Sequence, residues 1–90
     1  MSFTTDDKVQ FTVPLSRLRS RGIRDVHTNK QFKDEYGVRF QDVVFSIVHN
    51  DTYDEDSILQ TKVNGLTIET HWIKWKYLTR ATPLLNKLRK

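Results

Sequence analysis

Asn64-Gly65 lies between two runs of alternating apolar and polar residues, "ILQTKV" and "LTIETHW". A two-residue turn of type I′ needs positive φ at both central positions, and Asn-Gly accepts that readily. The pair therefore predicts an antiparallel hairpin and fixes its register: Val63 opposite Leu66, Thr61 opposite Ile68, Leu59 opposite Thr70. That face is apolar. Lys62 with Thr67 and Gln60 with Glu69 make the other face polar, so one side of the hairpin is expected against a core.

Further along the alternation fails. Leu66, Ile68, Thr70 and Trp72 continue one face, whereas Ile73, Trp75 and Tyr77 fall on the other if the strand is regular. In a helix these side chains would scatter around the circumference, so a strand is the expected conformation. The slip between Trp72 and Ile73 has two solutions. A β-bulge at 71–73 would restore the phase, send all the rings, Trp72, Trp75 and Tyr77, to one core and leave Lys74 and Lys76 in water. A regular strand would instead put Trp75 and Tyr77 beside Lys62 and His71, as a platform for unpaired bases. A small domain needs its rings for burial, which favours the bulge.

Weaker signals fill in the remainder. "VQFTVP" alternates Val9, Phe11 and Val13 and stops at Pro14, which cannot donate to a ladder; a short strand near a sheet edge is expected. "LSRLRSRG" has an apolar stripe of only Leu15 and Leu18, compatible with two helical turns ended by Gly22 or with a loop. Thr28 and Gln31 have capping-box spacing, Phe32 and Tyr36 share a face, and Gly37 suits a left-handed terminus, predicting a helix over 29–36. "VRFQDVVFSIVHN" is apolar on both faces, as in a central strand. Thr82 and Pro83 before Leu84, Leu85 and Leu88 predict a C-terminal helix. The expected architecture is one α+β domain over 1–90, with a mostly antiparallel sheet of about four strands, short helices and the C-terminal helix.

Ninety residues, 37% hydrophobic, allow one modest core. Without cysteine there is no disulfide frame, thiol nucleophile or thiolate metal site. The first residues have neither the basic start nor the apolar stretch of a secretory signal, and no segment is long enough to span a bilayer. A cytoplasmic protein with no membrane partner is expected, in the host cytoplasm if a virus encodes it.

The net charge of +4 is unevenly distributed. Residues 14–24 hold four arginines and residues 71–90 six Lys or Arg, with no acid in either, while residues 25–69 carry nine acids against four bases. Two basic segments around an acidic middle predict one face attractive to polyanions. Arginine favours bidentate phosphate contact and stacking on bases.

Catalytic and metal-binding patterns are sparse. His27, His49 and His71 lack metal-ligand spacing, and Glu69 with His71 is a pair where zinc needs three or four ligands. The loop "DTYDEDSILQTK" lacks the glycine and the final glutamate of a calcium loop. Turns and caps account for Gly22, Gly37 and Gly65, so no phosphate-cradling loop is expected. No catalytic residue, metal or cofactor is assigned. In architecture alone, the helix-then-sheet order resembles that of small bacterial toxin ribonucleases; their matching motifs are absent.

These observations rank three functions. The first is a non-enzymatic nucleic-acid-binding protein, RNA ahead of DNA, with Arg17, Arg19, Arg21, Arg24, Lys74, Lys76 and Arg80 on phosphates and Trp75 and Tyr77 as stacking partners. The second is a protein-interaction module, an inhibitor or adaptor of a larger enzyme, using the acidic stretch Asp51–Asp56 and a sheet edge. The third is a metal-independent ribonuclease.

Overall fold

The computed structural model describes residues 2–81. Their elements are β1 (Lys8–Phe11), α1 (Asn29–Tyr36), β2 (Phe45–Asp51), β3 (Asp56–Val63), β4 (Leu66–Glu69), β5 (Ile73–Lys74) and β6 (Leu78–Arg80). Single 3-10 turns occupy Leu15–Arg17, Arg19–Arg21, Phe40–Asp42 and Trp75–Tyr77. All strand pairings are antiparallel, in the order β4-β3-β2-β1-β6, with β5 also on β3.

Six strands replace the expected four, and the extra ones come from the stretch read as a single strand after Gly65. β4 and β5 both pair with β3, but the register changes between them. Gln60 faces Glu69 and Ser57 faces Ile73, so Thr70, His71 and Trp72 lie opposite only Ile58 and Leu59. This is the one-residue insertion that the hydrophobic phase requires. The second departure is the 3-10 turn at Trp75–Tyr77, which ends β5 and starts β6. The predicted C-terminal helix, from Thr82 onward, lies outside the described residues.

β6 then pairs with β1, which therefore sits between β2 and β6 rather than at an edge. In a flat sheet β5 and β6 would be four strand spacings apart, about 19 Å. The chain from Lys74 to Leu78 covers only about 8 Å as a 3-10 turn, or about 14 Å fully extended. The sheet must therefore curl strongly, bringing its margins toward each other without closing. Two irregularities permit the curl: the insertion at 70–72 and a shift on β2, where Ile47 faces Leu59 but His49 faces Ile58. Both flank Ile58–Leu59, one on each side, and bulges bend and twist a strand locally.

Local signals formed as the residues dictate. Asn64 and Gly65 have φ of 50° and 82°. Thr28 Oγ1 accepts from the Gln31 N–H at 3.1 Å, and Gln31 Oε1 accepts from the Thr28 N–H at 3.1 Å. Gly37 ends α1 with φ of 78°. The five phenylalanines fill the core; Phe40 stacks on Phe11 at 4.7 Å and meets Phe32 edge-on at 5.3 Å, joining α1 to the sheet.

Candidate functional site

Arg17, Arg19 and Arg21 alternate with Leu15 and Leu18, and the local fold separates the two kinds. The leucines are buried and the arginines exposed. The segment is two 3-10 turns rather than a helix, and Arg19 holds a left-handed φ of 53°. Gly22 has φ of −78°, so it is not a left-handed cap. A Cβ there would lie 2.9 Å from Leu15 Cδ1 and 3.3 Å from Leu18 Cβ, so this glycine lets the loop close on its own leucines. The loop is tied at both ends. Leu15 N–H donates to Asn29 Oδ1 at 2.8 Å, and the Arg21 carbonyl accepts from the His71 N–H at 3.2 Å.

The second tie brings the basic loop against the bulge between β4 and β5. A groove of about 650 Å³ results. Arg17, Arg19 and Arg21 line one wall, Trp72, Lys74, Lys76 and Tyr77 the other, with Leu18 and Ile73 also contributing. Two segments about fifty residues apart in sequence thus share one concavity, and no carboxylate lines it among the described residues. A cleft of one charge sign with low-dielectric walls focuses the field on its contents.

Availability differs among the cations. Within the described residues, Arg17, Arg19, Arg21 and Lys76 have no acidic partner in ion-pair range. Lys76 Nζ stands 5.2 Å from the Tyr77 ring centroid. Lys74 is partly committed: its ammonium donates to the Asp54 carbonyl at 3.2 Å and lies 3.6 Å from the Asp56 carboxylate.

Three residues expected at the interface lie elsewhere. Arg24 is exposed beside Asp25, at 3.9 Å, outside the groove lining. Arg80 donates to Asp7 Oδ2 at 2.8 Å and to the Ser2 carbonyl at 2.7 Å, and lies 5.0 Å over the Phe3 ring. The Thr4 backbone N–H and then Arg80 hold the Asp7 carboxyl below its usual pKa of 3.8. Trp75 is 7% exposed, with its indole N–H on Ser57 Oγ at 2.9 Å and its ring edge-on to Phe3 at 5.6 Å. Tyr77 is partly buried against the core while still lining the groove.

Trp72, 36% exposed, supplies the accessible indole, and sequence reasoning chose the other tryptophan. The alternation puts Trp72 on the core face with Ile68 and Thr70, but the extra residue lies at 70–72, so Trp72 leaves that face while Ile73 and Trp75 turn inward. The expected Glu69–His71 pairing is replaced as well: Glu69 accepts from Gln60 Nε2 at 3.2 Å, and His71 occupies the bulge. Among the described residues, no group of three or more His, Asp or Glu is placed to hold a metal. No described helix is long and apolar enough to cross a membrane. Compared with protein-family models, characterised proteins and solved structures, the chain matches none.

Proposed function

We propose that this protein binds nucleic acid through the groove between the basic loop and the bulge, mainly by phosphate contacts. The supporting observation is convergence: Arg17, Arg19 and Arg21 share one acid-free concavity with Lys74 and Lys76. Five cations around one concavity suit a phosphodiester backbone, and arginine forks can take two phosphate oxygens at once. Arg24, Arg80 and Trp75 are not assigned contacts. RNA stays ahead of DNA in this reading, because side-chain access to bases is easiest in loops and unpaired segments.

Filter binding over a range of salt concentrations tests the proposal. Four to five neutralised phosphates predict a slope of log K against log salt of about −3 to −3.5 for single strands. Arg17→Ala and Lys76→Ala should each weaken all sequences alike and reduce the slope by less than one. A wild-type protein with no salt-dependent affinity for RNA or DNA would refute it.

A second reading draws on the opposite charge. Tyr53 is 94% exposed at the tip of the β2–β3 hairpin, among Asp51, Asp54 and Glu55, and β4 is an end strand of the sheet order. Such a tip and edge suit a basic protein partner that adds a strand. Under that reading Tyr53→Ala would abolish complex formation, whereas the groove variants would leave it intact.

A further inference from the structure

Trp72 and Tyr77 are the two rings of the groove, and they are not equivalent. Tyr77 packs partly into the core and has the Lys76 ammonium 5.2 Å from its ring centroid. Trp72 keeps about a third of its surface in solvent although Trp75, three residues on, is buried. The inserted residue at 70–72 is what holds the indole at the groove while Thr70 and Ile73 turn inward. A tryptophan left at the surface costs the fold apolar burial, so the position has a use only if something covers the ring.

The groove also limits what can enter. About 650 Å³ is the size of a small-ligand pocket, room for one or two bases with the backbone running along the cations at its rim, and far too little for a double helix. Bases inside a duplex are stacked on each other and cannot present a face to a recessed ring. An unpaired base can, because its π-face is free and its backbone can bend around it. Phosphates on either side of such a base would meet the arginines of one wall and Lys76 of the other.

Resting on the nucleic-acid reading, we infer that the ligand is a single strand, held by one unpaired base stacked on Trp72. This assigns Trp72 as the residue that separates single strands from duplexes, with the basic residues supplying sequence-independent affinity.

Intrinsic fluorescence gives the test, because one tryptophan lies in the groove and the other is buried. The full chain would be titrated with an oligouridine ten-mer, an oligothymidine ten-mer and a blunt duplex of the same length. Both single strands should quench the emission, and the duplex should bind at least about tenfold more weakly without quenching. A tighter oligouridine than oligothymidine would identify RNA as the source of the strand; equal affinities would assign the site to single strands of either sugar. Trp72→Phe, with a smaller ring, should bind more weakly than wild type but more tightly than Trp72→Leu, and should lose the quench, since the remaining indole is buried. Trp72→Leu should lose affinity about 5- to 150-fold, with its melting temperature near wild type. Should the leucine variant not fold, the phenylalanine variant still decides the matter through its quench. The inference is overturned if duplex and single strands bind alike with emission unmoved, or if folded Trp72→Leu binds like wild type. Salt-dependent binding would persist in those cases, leaving the phosphate reading in place. Absence of binding to every nucleic acid would remove both.

Discussion

Trp75 is held by a chain of hydrogen bonds running from its indole N–H to Ser57 Oγ, from Ser57 to Asn50 Oδ1 at 2.6 Å, and from Asn50 Nδ2 to the Phe3 carbonyl at 2.7 Å. Ser57 is fully buried, and every member of the chain has a partner. Trp75→Ala would open a cavity and leave the buried Ser57 Oγ without the indole donor, so it should cost about 3–5 kcal/mol of stability. Trp72→Ala should cost under about 1 kcal/mol, because a part-exposed ring leaves no sealed void. Denaturant melts of the two variants check this, and equal losses would contradict the opposite placement of the rings. Arg19 gives a second residue-scale test. Its left-handed φ strains a side chain with a Cβ, so Arg19→Gly should be neutral or slightly stabilising, within about 1 kcal/mol, while nucleic-acid affinity falls. A fall in both together would mean that Arg19 supports the loop rather than a ligand. The alternation of arginine and leucine was legible as chemistry, but not the loop's shape. That shape depends on Gly22 meeting Leu15 and Leu18, a contact that the spacing alone does not show.

The elements legible in the sequence are those whose ends carry their own instructions. The capping box of α1 and the Asn64-Gly65 turn act over a few residues, and both formed where expected. Gly65→Val should therefore cost about 1 kcal/mol or more, since a β-branched residue cannot easily hold φ of 82°. A variant that melts like wild type would show that the turn does not set the hairpin register. The strand after Gly65 was harder to read, because its break depends on partners far away in sequence. The phase slip shows that a residue must be inserted, yet β6 exists only because β1 offers it an edge. Asp7 and Arg80 reinforce that edge. The Asp7 carboxyl titrates below its usual 3.8, so its contribution is complete above that pH and is lost as pH falls through the lowered value. Asp7→Asn should lower the melting temperature at neutral pH, and the gap to wild type should narrow as the pH falls below 3.8. A gap that is constant with pH would exclude the carboxylate as its source.

At the scale of the whole molecule, two irregularities beside Ile58–Leu59 curl the sheet, and the curl sets the ends of distant segments side by side. Charge segregation in the sequence foretold a basic face but not that it would be concave. Concavity comes from the docking of the 15–22 loop on the bulge through Arg21 and His71. The same curl takes Arg80 to Asp7 and Trp75 into the core, so a basic or aromatic residue in the right segment is not thereby part of the site. The acidic hairpin keeps the opposite sign nearby and reaches the groove only at Lys74. On the proposed reading, two segments far apart in sequence form one binding surface. Amide chemical-shift mapping during titration with an oligouridine ten-mer examines it directly. The predicted result is that resonances of residues 15–22 and 72–77 shift together along one binding curve, while Thr52–Glu55 stay unmoved. Shifts confined to one of the two segments, or centred on the acidic hairpin, would contradict it.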